Sequence, residues 1–326
     1  MCDSEKGKNA RSPAVSVIIT AYNAARSIRK CVESIMAQTF RDFECVVVDD
    51  GSADSTAEIV GALAEADARV RLVKRENGGQ SAALNTGLAG TGGKYVYMMD
   101  SDDEASPCLL EAAVGALEAD PGADFATFDF ARLSNPAQKP VARADAVPAP
   151  VKVPSALDFW LSTGRDHNIW MSVYRRAAID GIRFPEGYIH QDFFFNYMFF
   201  KGGRRGVYLP CALYAYDDCT PGSITNSPMS KRKVNAMFDL CRMLYEAYAS
   251  APAGEREKLR RRALQPRIKD RLKNVYRSGD ADLVELAGER AREAFRLGIL
   301  RFSGFTLRWK FRLLRILLSR KRSKEG

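Results

Sequence analysis

The stretch Lys94–Pro107 reads KYVYMMDSDDEASP and decides the fold prediction. Its apolar run Tyr95–Met99 is typical of a strand that is buried on both faces. The carboxylates of Asp100, Asp102 and Asp103 follow directly, and because they repel one another they indicate a compensating cation. Oxygen ligands of this kind suit Mg²⁺ or Mn²⁺, which bind through one or two carboxylates together with substrate phosphates. The alternative is a solvated acidic loop with only a structural role.

Strand and helix patterns alternate on the N-terminal side of this stretch. Apolar β-branched runs predict three further strands, at residues 15–20, 43–48 and 70–74. The alternation predicts a mostly parallel sheet with helices on both faces, and ligands of such sheets bind beyond the carboxyl ends of the strands. The polar clusters Thr20–Asn23, Asp49–Ser52 and Asp100–Asp103 all follow strand ends. We therefore expect them to meet at one edge of the sheet as a binding site.

Composition excludes several other classes of protein. The 326 residues are 46% hydrophobic and 27% charged, as in ordinary soluble proteins. With only His167 and His190 present, the sequence argues against a histidine metal site or a Ser-His-Asp triad. The seven cysteines form no CxxC pair, which indicates reduced thiols in the cytoplasm. Residues 1–13 lack the apolar core of a signal peptide, and no apolar run approaches the roughly 18 residues that span a bilayer.

The net charge of +9 is concentrated in the C-terminal tail. Residues 301–326 contain a single acid, Glu325, and nine basic residues: Arg301, Arg308, Lys310, Arg312, Arg315, Arg320, Lys321, Arg322 and Lys324. Aromatic and aliphatic side chains alternate with these charges, a pattern typical of helices that lie on anionic membranes. We predict a protein held peripherally on the inner face of the cell membrane, and no nucleic acid partner. The alternative is a helix packed against a partner protein.

Four segments together resemble one known family. They are VSVIITAYN (15–23), QTFRDFECVVVDDGSADST (38–56), NGGQSAALNTGL (77–88) and KYVYMMDSDD (94–103). In this order and spacing they are similar to the nucleotide-sugar-binding half of family-2 glycosyltransferases, which have the GT-A fold. The resemblance implies a Rossmann-like, mostly parallel α/β sheet flanked by helices, here with a C-terminal helical appendage. It also implies sugar transfer from a nucleoside diphosphate donor, for which we expect a UDP-sugar, with inversion at the anomeric carbon.

The resemblance assigns roles to residues at the strand ends. Tyr22 and Asp50 match positions that hold the nucleobase, and Asp102, with Asp100, matches the metal-binding DxD motif. The nucleotide-binding residues implied in this way are Thr20, Ala21, Tyr22, Asn23, Asp50, Asn85, Asp100 and Ser101. Relatives often have Arg where Leu84 and Asp217 stand here, so two cationic contacts to the donor are missing. The alternative to a functional role for Asp49 is a purely structural one, in which it only caps its turn.

Asp192 matches the carboxylate that deprotonates the acceptor hydroxyl. A positioned base of this kind typically contributes 10²–10⁴-fold to the rate. The alternative role of Asp192 is that of a helix N-cap. Gln191 replaces the Glu that usually precedes this base. Contacts to the acceptor or the diphosphate are expected from five residues: Trp170, His190, Gln191, Ser223 and Thr225.

The sequence predicts a metal-assisted inverting glycosyltransferase that extends a surface glycan or a lipid-linked acceptor. Its predicted parts are a polar extension (1–13), a GT-A domain (14–228), a helical region (229–300) and the basic tail (301–326). The GT-A domain divides into a nucleotide-sugar half (14–110) and an acceptor half (111–228). A phosphatase with an aspartyl nucleophile is a rival, but Asp100–Glu104 lacks the Thr or Val of that motif. The other rival is a degenerate donor-binding subunit that anchors a partner to the membrane without turnover.

Overall fold

A computed structural model describes residues 12–135, 137–163, 168–219, 228–303 and 307–318. The strands are β1 Val15–Ala21, β2 Phe43–Asp49, β3 Val70–Lys74, β4 Tyr95–Asp100, β5 Glu104–Ala105, β6 Phe125–Arg132, β7 Val151–Val153, β8 Ser172–Arg175 and β9 Gly206–Tyr216. The helices are α1 Ile28–Met36, α2 Thr56–Ala66, α3 Gln80–Ala89, α4 Leu109–Ala119, α5 Ala156–Thr163, α6 Arg176–Ile179, α7 Gln191–Phe200, α8 Lys231–Ala247, α9 Ala253–Leu259, α10 Gln265–Ser278, α11 Ala281–Arg296 and α12 Leu307–Leu318.

All of these strands form one sheet in the order β3-β2-β1-β4-β8-β6-β9-β5, with β7 paired to β9. The first four run parallel, as the alternating pattern predicts, and β8 joins β4 and β6 antiparallel. Every residue of β1 is buried, because this strand lies inside the sheet between β2 and β4 and helices cover both faces. The predicted α/β sheet flanked by helices is confirmed, but it is parallel from β3 to β4 and mixed beyond β4, where the prediction was a mostly parallel sheet.

The segment Trp170–Arg176 reads WMSVYRR, which predicts a single strand, and the structure differs from this prediction. The segment begins as a 3₁₀ turn at Ile169–Met171, continues as β8, and ends where Arg176 starts α6. The turn seats the Trp170 ring on the ring of Tyr214, with centroids 4.3 Å apart and planes 9° apart. This stacking explains the departure from strand geometry.

Contacts divide the chain into two compact units. The sheet unit comprises residues 1–159, 166–187 and 203–221, and the helical unit comprises residues 160–165, 188–202 and 222–326. The segment 188–202, which contains α7, was assigned by sequence to the acceptor half of the GT-A domain. In the structure it groups with the C-terminal helices, because α7 packs on α8.

The helical unit has its own apolar core. On α8 the spacing of the apolar residues in the sequence predicts one shared face, and all of its residues are buried: Val234, Met237, Phe238, Cys241 and Leu244. Residues 255–274 are heavily charged, a pattern that favours a solvated helix, but the stretch is packed on one side, with Leu259, Ile268 and Leu272 buried. A π-helical turn at Arg260–Leu264 interrupts it. Arg260 is only 1% exposed because Glu257 and Gln265 bond its guanidinium.

The helix α12 contains the described part of the basic tail. Some of its apolar residues are buried and others are exposed. Leu313 and Ile316 are buried, and Arg292 of α11 donates to the Ile316 carbonyl at 3.1 Å. Phe311 and Leu314 are 61% and 42% exposed. Among the described residues, no helix combines the length and the apolar character that crossing a bilayer requires.

Candidate active site

The strand register brings the predicted polar clusters together. In the parallel ladder Thr20 of β1 is level with Asp100 of β4, and Ala21 is level with Asp49 of β2. The backbone N–H of Asp50 also donates to the Ala21 carbonyl at 2.8 Å. The carboxyl ends of the three strands are therefore adjacent, which confirms the predicted meeting of the clusters at one edge.

Hydrogen bonds join the loops that follow β1 and β2. The Asn23 N–H donates to Ser52 Oγ at 2.9 Å, and the Ala53 N–H donates to Asn23 Oδ1 at 2.9 Å. Asn23 has a φ of 50°, an uncommon conformation for a residue with a side chain. Next to it Tyr22 is 55% exposed, so its ring face is open for stacking on a base. Asp49 accepts from the Ser52 N–H at 3.3 Å, as expected of a residue that caps its turn.

Asp50, the predicted nucleobase contact, is buried and strongly bonded. Its carboxylate accepts from the backbone N–H groups of Gly78 and Gly79, the latter at 2.7 Å, and forms a salt bridge with Arg75. Gly79 has a φ of 86°, a region that favours glycine. The base-binding role of Asp50 stays a prediction, and these bonds fix the position from which its carboxylate would act.

The three acids after β4 have different surroundings. Asp103 is fully buried, and its carboxyl group bonds the Tyr214 hydroxyl at 2.5 Å and the Asp217 N–H at 2.7 Å. Burial raises the pKa of the Asp103 carboxyl to about 9, and the charges of Asp100 and Asp102 add to that rise. Asp103 therefore fastens the end of β4 to the end of β9, which leaves Asp100 and Asp102 as the candidate metal ligands.

The surroundings of these two acids fit a divalent cation. Burial raises the pKa of the Asp102 carboxyl, and the nearby charge of Asp217 raises it further. Asp100 accepts a hydrogen bond from the neutral amide of Gln80 at 2.8 Å. In the part of the chain that the structure describes, no three His, Cys, Asp or Glu side chains are arranged to hold a metal by themselves. Mg²⁺ or Mn²⁺ would then need oxygens of a bound diphosphate as well.

Asn85 and Trp170, two predicted contact residues, make structural contacts elsewhere in the sheet unit. The Asn85 amide nitrogen donates to the Phe184 carbonyl at 3.0 Å and to Glu186 at 3.1 Å, and its oxygen accepts from the Phe184 N–H. The nucleotide contact predicted for Asn85 stays a prediction. Trp170 is 2% exposed and lies against Tyr214, so the predicted acceptor contact of Trp170 lacks an accessible surface.

In the helical unit, His190, Gln191 and Asp192 form the start of α7. His190 occupies the N-cap position with a φ of 64°, and Asp192 is the second residue of the helix. His190 therefore occupies the N-cap position, which was the alternative role of Asp192. The Asp192 carboxylate still accepts a hydrogen bond from the Phe193 N–H at 2.9 Å. Asn23 and His190 are the two non-glycine residues with positive φ in the described chain, and both belong to the predicted site. Ser223 and Thr225 lie outside the described residues.

The sequence interpretation missed Arg75 and Gln80. Arg75 follows β3 directly, at the sheet edge where the other clusters lie, so the strand-end rule could have found it. Gln80 begins α3, and only the fold brings it to Asp100.

Comparison with known proteins identifies the family. Residues 16–183 match the model of glycosyl transferase family 2, and the chain belongs to that family. Glycosyltransferase YibD of Escherichia coli is 36% identical over 211 residues, which cover 62% of this chain and 60% of YibD. Glycosyltransferase EpsJ of Bacillus subtilis is 30% identical over 227 residues, covering 66% of this chain and 64% of EpsJ. The match thus spans less than two thirds of each relative.

Solved structures share the GT-A fold. S. aureus TarS 1-349 in complex with UDP-GlcNAc superposes with a TM-score of 0.68 at 20% identity, covering 86% of this chain and 80% of that one. Mannosyltransferase PcManGT from Pyrobaculum calidifontis, in complex with GDP-Man and Mn²⁺, has a TM-score of 0.51 at 19% identity, with 94% and 86% of the two chains covered.

We predict that Tyr214→Phe lowers the free energy of unfolding by about 1–3 kcal/mol, because the buried Asp103 loses a hydrogen-bond partner that water cannot replace. Tyr208→Phe is the matched control, since its hydroxyl donates to Asp129 at 2.6 Å in a part-buried site. We expect that control to cost less than about 1 kcal/mol. Urea denaturation measures both, and equal losses would contradict the anchoring role of Asp103.

Proposed function

We propose that this protein transfers a sugar from a nucleoside diphosphate donor, with a UDP-sugar as the first candidate, to a hydroxyl of a surface glycan or lipid-linked acceptor. The observation that carries the proposal is the register that sets Thr20 level with Asp100 and Ala21 level with Asp49. It supports a donor site in which Tyr22 stacks on the base and the strand-end acids lie near the diphosphate. Inversion at the anomeric carbon is part of the proposal.

Asp102, with Asp100, would hold Mg²⁺ or Mn²⁺. Bound there, the metal would supply positive charge that stabilises the diphosphate as it leaves. This role is supported by the position of Asp100 at the end of β4, level with Thr20 of β1, and by Asp102 two residues further along the chain.

Asp192 would act as the general base on the acceptor hydroxyl. The N-cap position of α7 is occupied by His190, so capping from that position does not account for Asp192. Ser223 and Thr225 stay candidates for donor contacts, and His190 and Gln191 stay candidates for contacts with the acceptor.

The helix α12 would hold the protein on the inner face of the cell membrane. This part of the proposal is supported by the exposed Phe311 and Leu314, which are accompanied by the exposed cations Lys310 and Arg312. Apolar residues flanked by basic ones match an anionic lipid surface.

We predict that nucleotide binding requires a divalent metal through Asp102. Calorimetry should show UDP binding to the wild type at least about tenfold weaker in EDTA than in Mn²⁺, because the diphosphate then meets uncompensated carboxylates. Asp102→Asn should remove most of the Mn²⁺ dependence. Asp180→Asn, an exposed acid of the same unit, is the control and should behave as wild type. Equal affinity in all of these conditions would rule out the metal assignment.

We predict that Asp192→Asn reduces sugar transfer by roughly 10²-fold or more and leaves donor affinity within a few-fold of wild type, because a base acts on the acceptor in the transition state. Asp282→Asn is the matched control, since Asp282 is also the second residue of its helix, α11. Turnover is measured on an acceptor panel and folding by thermal unfolding. A folded Asp192→Asn variant that transfers sugar at the wild-type rate would falsify the assignment.

We predict that the double variant Phe311→Ser, Leu314→Ser loses most of its binding to anionic vesicles, because it removes the exposed apolar surface beside the basic residues. Leu313 and Ile316 are kept, so the packing of α12 on α11 is preserved. Leu133→Ser removes an equally exposed side chain of the sheet unit and serves as control. Co-sedimentation measures binding, and an unchanged bound fraction would place the membrane contact elsewhere.

A further inference from the structure

Arg271, on α10 of the helical unit, is a part-buried cation bonded only to uncharged groups. Its guanidinium meets His190 Nε2 at 3.0 Å and Met229 Sδ at 3.2 Å, and its buried Nε has no hydrogen-bond partner. No carboxylate among the described residues forms a salt bridge with it. Burial and the positive charge of Arg267 lower the pKa of the Arg271 guanidinium.

Other cations surround this guanidinium. Arg267 lies one turn earlier on α10, and its guanidinium is 5.3 Å from the centre of the Phe193 ring. Lys233 of α8 is almost fully buried, and burial and the charge of Arg271 lower the pKa of its ammonium group. Like charges gathered away from water destabilise a fold unless an anion offsets them. Arg267 and Lys233 therefore add positive charge around Arg271, which has no carboxylate partner among the described residues, and this arrangement fits an anionic ligand.

The cluster lies at the start of α7. His190, which bonds Arg271, and Phe193, which lies beneath Arg267, flank Gln191 and Asp192 in the sequence. The left-handed backbone of His190 begins the helix at this point, and the N–H groups of a first helical turn also favour an anion. An anion bound here would lie beside the proposed base.

We propose that Arg271, together with Arg267, Lys233 and His190, binds a phosphate group of the acceptor next to the hydroxyl on which Asp192 acts. The inference rests on the proposed function, since it takes Asp192 as the base. Arg suits this ligand because its planar fork can give two parallel hydrogen bonds to a phosphate. A neutral acceptor would leave the Arg271 guanidinium without a negatively charged partner among the described residues, so acceptors with a phosphate mono- or diester are favoured, whether lipid-linked or soluble.

The first test measures thermal unfolding of the full chain in inorganic phosphate and in chloride at equal ionic strength. A ligand that binds only the folded protein raises the Tm, so we expect phosphate to raise it by a few degrees in the wild type. Arg271→Gln should lose this shift, and Lys273→Gln, which removes an exposed charge from the same helix, should keep it. A shift that survives in Arg271→Gln, or is absent from the wild type, would overturn the proposal.

A second variant keeps the test decisive if Arg271→Gln fails to fold. Arg271→Lys retains the charge but loses the paired hydrogen-bond geometry, so its phosphate affinity should fall several-fold. Wild-type phosphate affinity in this variant would overturn the role of Arg271.

Further measurements separate the acceptor from the donor and locate the phosphate. UDP affinity should be unchanged in Arg271→Gln, whereas a loss of UDP affinity would assign the cluster to the donor diphosphate and overturn the proposal. Selective loss of glycerol phosphate binding supports a soluble acceptor, and selective loss of binding to phosphatidic acid vesicles supports a lipid-linked one. Because the Tm shift needs no turnover, it tests this proposal even if Asp192→Asn disproves the proposed base.

Discussion

The parallel pairing of β1 with both β2 and β4 is the constraint on which the sheet unit depends. Because β1 is hydrogen-bonded on each side, its register fixes two neighbours at once, and a slip of one residue would exchange their side chains between the two packed faces of the sheet. The same register fixes where the polar residues after the three strands emerge. The packing that stabilises the sheet therefore also assembles the candidate donor site.

Some acids of that site have structural roles, and others are candidates for the chemistry. Asp103 and Asp49 accept hydrogen bonds that fix strand ends and turns, whereas Asp100 and Asp102 are only half-buried at the end of β4 and just beyond it. The three acids after β4 are thus not equivalent, although they stand within four positions of one another. A metal bound by Asp100 and Asp102 would relieve the repulsion between their charges. Asp103 tolerates that repulsion because its carboxyl group is buried and has a raised pKa.

The sequence predicted the parallel sheet well, since runs such as Val15–Thr20 are apolar throughout and end in polar turns. It identified which residues lie at strand ends but not how their side chains are used. Trp170 stacks in the core and Asn85 holds the segment at Phe184, and both outcomes depend on contacts between distant parts of the chain. Arg271 was missed for the same reason, since 81 positions separate it from His190.

Arg271 differs in its charge pairing from Asp50 and Arg260, two buried charges of the described chain. Asp50 is paired with Arg75 and held by two backbone N–H groups, and the guanidinium of Arg260 is bonded by Glu257 and Gln265. These groups have the partners that make burial of a charge tolerable, so structure alone accounts for them. Arg271 instead meets a histidine, a thioether and another arginine's charge. Since none of its contacts among the described residues supplies negative charge, a phosphate-bearing ligand fits its surroundings.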